Sequence, residues 1–247
     1  MPTAFFRIFV LCGPTGAGKS TLINILTRYY EIVSGRILVD GQDLSTLTQE
    51  SLRKQIGVVL QEAFLFTDTV MNNLLYAREG ATPDEAIAAA KKANAHDFIT
   101  ALPNGYDTML TERGANLSQG QRQMITIARA MVAEPKMMIL DEATSNVDTR
   151  TEKLNRDGMR ALMDDKTSFS IAHRLATIRG SSRIMVLNGG VIEGMASHDD
   201  LIAANGFYYA LYMSQFKGKG PSDGTDHTAG FVSTSSDSDV RGSDPVP

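Results

Sequence analysis

The sequence predicts an α/β domain built on a mainly parallel sheet, and three observations predict it. Short apolar runs that read as strands alternate with helical patterns along most of the chain. The first run, Phe5 to Leu11, leads into Gly13-Pro14-Thr15-Gly16-Ala17-Gly18-Lys19-Ser20, which fits G-x-x-x-x-G-K-[S/T] between a strand and a helix. A later run, Met137 to Leu140, ends on Asp141 and Glu142, and open α/β sheets hold their ligands beyond the carboxyl ends of strands.

The elements follow in order. Phe5 to Leu11 reads as a buried strand, and Thr21 to Tyr29 as the start of a helix. Arg36-Ile-Leu-Val-Asp-Gly alternates and closes on a turn signal, so it predicts a short strand at an exposed edge. Ile56 to Leu60 is continuously apolar and predicts a strand buried on both faces. From Val70 to about Leu102 the chain is alanine-rich and helical, with Pro83 where a helix would begin and Pro103-Asn-Gly breaking the pattern. A helical insertion from about 70 to 134 results. Met137 to Leu140 and Thr167 to Ala172 are further strands, separated by a polar helix. Arg183 to Leu187 and Val191 to Glu193 predict a hairpin around Asn188-Gly-Gly. Short helices end the domain, residues 1–216, near Phe216. Residues 217–247 are Gly, Ser, Asp and Pro with almost no large apolar side chain, the composition of a disordered tail.

Bulk properties narrow the function. A formal net charge of −4 argues against a nucleic-acid partner. No apolar run approaches the ~20 residues that span a bilayer. The single cysteine, Cys12, cannot form an internal disulfide, which suits a reducing compartment, and it reads as a small buried apolar residue.

Three constellations carry chemistry. Glycines in the 13–20 loop let backbone N–H groups surround an anion, and the following helix adds its positive dipole end. Lys19 is placed for the β- and γ-phosphates of a nucleotide, and the Ser20 hydroxyl for Mg²⁺. Asp141 is positioned to hold Mg²⁺, and Glu142, one residue on, to polarise an attacking water; two acids after a strand are also what a helix N-terminus favours. Ser118-Gln-Gly120-Gln121 reads as a capping box before an amphipathic helix, but capping does not explain Gly120, which costs ~1 kcal/mol relative to alanine in a first turn. A close approach by a phosphate would explain it.

These motifs resemble the ATP-binding-cassette (ABC) ATPases, specifically the nucleotide-binding domains of exporters. The resemblance runs from about Val10 to Phe216: Gly13–Thr21 as Walker A, Gln61 as the Q-loop, Thr111-Glu-Arg-Gly114 before the signature, Leu117–Gln121 as the signature, Met137–Glu142 as Walker B, Ser145–Asp148 as the D-loop and His173 as the H-loop. It implies a P-loop NTPase, RecA-like core with an α-helical subdomain and a small, incomplete antiparallel part. It implies two copies sandwiching two ATP molecules head to tail. Gly13 to Thr21, with Gln61, Asp141, Glu142 and His173, would act from one copy, and Ser118, Gly120 and Gln121 from the other. Glu142, His173, Lys19 and Gln61 would serve catalysis, while Ser20, Gln61 and Asp141 would hold Mg²⁺. Gln61 to Phe66 and Thr111 to Gly114 would meet an exporter's transmembrane domain at the cytoplasmic face of the membrane. Core packing is the competing account of Phe64 and Phe66. His96, His198 and His227 read as structural or solvated.

In exporter domains, two strands and an adenine-stacking aromatic normally precede Walker A. Only twelve residues precede Gly13 here, so the antiparallel part is expected to be incomplete and the chain to be a fragment. The leading expectation is a transport ATPase. The alternatives are a nucleotide-binding module without productive turnover and a soluble ABC ATPase of DNA repair or translation. Asn155-Arg-Asp-Gly158 has no functional reading, although Gly158 weakens its helix.

Overall fold

The computed structural model describes residues 8–60, 62–141, 149–171, 178 and 181–216. Among these, eight strands and nine α-helices follow one another as the alternation predicts. Six strands form the main sheet: β1 (Ile8–Cys12), β4 (Ile56–Val59), β5 (Met137–Asp141), β6 (Thr167–Ile171), β7 (Arg183–Asn188) and β8 (Val191–Ala196). Their order is β4-β5-β6-β1-β7-β8, parallel throughout except for β8, which returns antiparallel beside β7. β2 (Leu38–Val39) and β3 (Gln42–Asp43) make a separate two-stranded antiparallel ribbon.

β1 lies inside the sheet, between β6 and β7, with Val10, Leu11 and Cys12 buried. Below one face, α1 (Lys19–Leu26) contributes Leu22 and Ile23 to a cluster with Leu11, Ala17, Ile171 and Leu187. The opposite face carries Val10, Ile178, Ile184, Val186 and Tyr208, the last from α9 (Phe207–Phe216). α2 (Gln49–Arg53) and α8 (His198–Ala203) are short and capped by Thr48 and Ser197.

The alanine-rich stretch forms a helical layer whose core is continuous with Val59 of β4 and Met138 and Leu140 of β5. It holds α3 (Val70–Leu75), α4 (Pro83–Lys92), α5 (His96–Thr100) and α6 (Gln119–Val132). α4 starts as its sequence directs: Pro83 follows Thr82, and Thr82 and Glu85 make a reciprocal capping box. α6 starts on the same device, Ser118 with Gln121, and buries Met124, Ile125, Ile127 and Ala128 along its inner face. α7 (Thr149–Met163) links this layer to the sheet, and Leu162 enters the layer's core.

One expectation fails. Ile56 to Leu60 was expected to be buried on both faces, yet β4 is the edge strand and Val58 is 41% exposed. Gly57 explains part of the apolar run, because a methyl group there would meet Met138 Sδ at 2.6 Å, so the inward face is closely packed. The outward face is apolar without being covered.

Candidate functional site

The phosphate-loop motif sits where β1 ends inside the sheet, and neighbouring elements dictate its shape. A methyl group on Gly13 would lie 2.3 Å from the Leu187 carbonyl oxygen, so only glycine lets the chain leave β1 alongside β7. The Ala17 N–H donates to the Pro14 carbonyl at 3.1 Å and closes the loop. The tip of the β7–β8 hairpin then braces it, since the Gly190 N–H donates to the Ala17 carbonyl at 3.0 Å. Gly189 and Gly190 have φ of 55° and 83°, which a two-residue turn with both central residues left-handed requires.

The loop ends on Gly18, the N-cap of α1, whose left-handed backbone carries no capping side chain, and no acidic residue occupies the first turn. The leading N–H groups of α1 therefore lack a side-chain acceptor, and the positive end of the helix points where the loop opens. Lys19 Nζ donates to the Gly13 and Pro14 carbonyls at 2.8 and 2.9 Å, which folds the ammonium back over the same loop. Ser20 and Thr21 are exposed on the first turn. The uncapped helix start and the ammonium thus lie at the same loop, an arrangement that suits a phosphate chain. Burial raises the pKa of the adjacent Cys12 thiol, against the opposing pull of Lys19, so Cys12 is a packed group as expected.

Asp141 ends β5, half-buried. It shares a row of the sheet with Ile171 of β6, which is paired in turn with Leu11 of β1. Two strand spacings, about 10 Å, therefore separate the Asp141 backbone from the start of the phosphate loop. The loop residues and Asp141 lie along one edge of the sheet. Ser118, Gly120 and Gln121 lie in the helical layer, at the start of α6. There the Ser118 N–H donates to Gln121 Oε1 at 2.9 Å and the Gln121 N–H to Ser118 Oγ at 3.2 Å, while Gly120 is buried. The capping reading of this motif is thus realised in full, and Gly120 sits at a buried position. Gln61, Glu142, Ser145 to Asp148 and His173 lie outside the described residues, as does His227.

Two groups escaped the sequence reading. The brace from Gly190 was legible only as a hairpin turn. The other is a network around Arg129 and Asn73, which holds the segment Phe64 to Phe66 in place. Leu65 of that segment is buried, but Phe64 is 51% exposed and Phe66 half-buried, so core packing accounts for only the middle residue. His96 and His198 are structural: their Nδ1 atoms hydrogen-bond the hydroxyls of Tyr106 and Tyr208 at 3.0 and 2.8 Å.

The family model for ABC transporters matches residues 6–145, which include the phosphate loop, the α6 start and β5. The chain belongs to the ABC transporter family. An uncharacterized ABC transporter ATP-binding protein, YfiC, of Bacillus subtilis is 54% identical over 205 residues, covering 83% of this chain and 34% of that relative. The fatty acid ABC transporter ATP-binding/permease protein of Mycobacterium bovis is 50% identical over 201 residues, covering 81% of this chain and 32% of the relative. The ATP-dependent lipid A-core flippase of Syntrophus aciditrophicus is 47% identical over 211 residues, covering 85% and 35%. Among solved structures, a bacterial Atm1-family ABC exporter with ATP bound superposes with a TM-score of 0.78 at 46% identity, covering 85% of this chain and 37% of that one. This ABC transporter chain spans about a third of the length of the curated relatives it matches. Its fold is the ABC ATPase P-loop fold, a mostly parallel sheet with helices and a small antiparallel ribbon. No helix among the described residues is long and apolar enough to cross a membrane.

Proposed function

We propose that this chain is the ATP-binding and ATP-hydrolysing domain of an ABC exporter, which dimerises head to tail and powers export through a transmembrane partner. The observation that carries the reading is the uncapped start of α1, enclosed by a loop that β7 and the β7–β8 hairpin hold in shape, with Lys19 folded over it. Binding of a triphosphate exchanges the two carbonyl acceptors of Lys19 for phosphate oxygens, while Gly13 to Gly18 and the first N–H groups of α1 supply the cradle. Ser20 and Thr21 extend it.

A hydroxyl and a carboxylate are the oxygen donors that Mg²⁺ prefers, and Ser20 and Asp141 offer them, with Gln61 as a further ligand. The ion neutralises charge on the transferred phosphoryl group when bound. Glu142 polarises the attacking water and His173 holds the γ-phosphate. Ser118, Gly120 and Gln121 of the second copy close the site. Phe64, Phe66 and Thr111 to Gly114 meet the transmembrane domain, which places this chain at the cytoplasmic face of a membrane. The similarity to the Atm1-family exporter and to a lipid A-core flippase supports export without naming this chain's substrate.

The test is ATP hydrolysis by the purified chain over a range of protein concentrations, beside Glu142→Gln. Activity should rise faster than linearly with concentration and fall by roughly a hundredfold or more in the variant. A folded sample that binds ATP without turning it over would instead identify a nucleotide-binding module.

A further inference from the structure

Arg129 of α6 is a cation without a carboxylate partner among the described residues, although it is half-buried and burial lowers its pKa. Three of its five N–H donors engage neutral groups. Nε donates to the Asn73 carbonyl at 2.8 Å, Nη1 to the Phe64 carbonyl at 2.9 Å and Nη2 to Asn73 Oδ1 at 2.6 Å. The same guanidinium lies 5.4 Å from the centre of the Phe66 ring. Asn73, 1% exposed, completes the clamp: it accepts from the Phe66 N–H at 2.9 Å and donates to the Phe66 and Thr69 carbonyls at 3.0 Å each. Three of these bonds, Arg129 Nη1 to the Phe64 carbonyl and the two between Asn73 and Phe66, hold the segment that presents Phe64 and Phe66, and the others anchor Arg129 and Asn73 to α3. Phe64 and Phe66 form an aromatic platform with Tyr76, which is 71% exposed and packs 4.5 Å from Phe66.

A partly desolvated charge held by neutral acceptors is a costly way to pin a loop, and an apolar side chain would fill the space more cheaply. The planar fork supplies what an apolar residue cannot, a rigid link in three directions at once. One end of that link is α6, which begins at Ser118, about 16 Å along the helix from Arg129. The other is the platform. We propose that Arg129 is a positioning residue that, with Asn73, ties the Ser118 helix to the Phe64–Phe66 platform, so that displacement of α6 by bound nucleotide moves the platform. The inference rests on the reading that this chain binds ATP in a head-to-tail pair, because Ser118 meets the nucleotide held by the other copy.

The chain contains no tryptophan, so Phe64→Trp installs a single reporter on the platform. In a Glu142→Gln background, where bound ATP persists, Mg-ATP should shift the emission of the introduced indole. Affinity is read separately, by equilibrium dialysis with ATP. Arg129→Lys keeps the charge and loses the fork. Asn73→Asp satisfies the cation but cannot donate to the Phe66 carbonyl, and so guards against simple failure to fold. Each variant should cut the emission shift by about threefold or more while ATP affinity stays within about twofold. The proposal is overturned by an undiminished shift in either variant, by no shift in a parent that binds ATP and dimerises with it, or by affinity falling in step with the shift. A parent that fails to bind ATP, or binds it while staying monomeric by light scattering, overturns the functional reading, and this inference with it.

Discussion

At Gly13 a single methyl group decides the geometry of the phosphate loop. The 2.3 Å approach to the Leu187 carbonyl leaves no room for Cβ, and the obstacle is backbone, which cannot rotate away as a side chain would. Gly13→Ala should therefore push the loop off β7, loosen the contact between Ala17 and Gly190, and cost about 1–3 kcal/mol of stability by overpacking. ATP affinity measured by dialysis should fall at least about tenfold, because the cradle and the first turn of α1 no longer align. Lys19 was legible from the motif alone. The carbonyl contacts that fold it over the loop were not, because hydrogen bonds of an ammonium to its own chain leave no mark in a consensus pattern.

Among the elements, α4 shows how directly a start signal is written. The Glu85 carboxyl is held far below its ordinary value of 4.5, at about 2, chiefly by the Thr82 backbone N–H, then by Arg78 and the Thr82 hydroxyl. Its folded pKa is depressed, so its contribution to stability is present above pH ~4.5 and is lost as pH falls towards ~2. Glu85→Gln should flatten the acid limb of the stability profile in that window, as read by urea midpoints at successive pH values. Strands were less legible than helices. Ile56 to Leu60 read as a doubly buried strand because all its residues but glycine are apolar, yet Val58 faces outward at the sheet edge. Period-2 alternation cannot signal an exposed apolar face, and a single sequence does not reveal which strand ends the sheet.

For the whole molecule, α7 packs on α6 over the core that the helical layer shares with β4 and β5. Gly158 had no sequence rationale beyond weakening its helix. In the fold, a Cβ there would lie 3.1 Å from the Ala93 carbonyl oxygen, so α7 crosses the end of α4 backbone to backbone. Asn94 reinforces the crossing by donating to the Leu154 carbonyl at 3.1 Å. Helix propensity alone predicts that Gly158→Ala stabilises by ~1 kcal/mol. The crossing predicts the opposite sign, a net loss, measurable as a lower urea midpoint. One turn away Asn155 is 2% exposed, and neither of its side-chain amide atoms has a hydrogen-bond partner among the described residues. The mainly parallel α/β fold was legible, because alternation and one octapeptide report it. The contacts that lock layer to layer were not, since they depend on residues far apart in sequence.

The loop from Gly13 to Gly18 comes early in the sequence, yet its shape is set by Leu187 and Gly190 far downstream, and β1 itself sits between β6 and β7. At ~5–20 residues per second, a ribosome needs roughly ten to thirty seconds to travel from one to the other. For that interval the nascent chain carries the complete octapeptide without the strand and hairpin that make it a cradle. The octapeptide is thus written well before the residues that shape it, and during synthesis nucleotide can assist its folding only once Leu187 and Gly190 have been made.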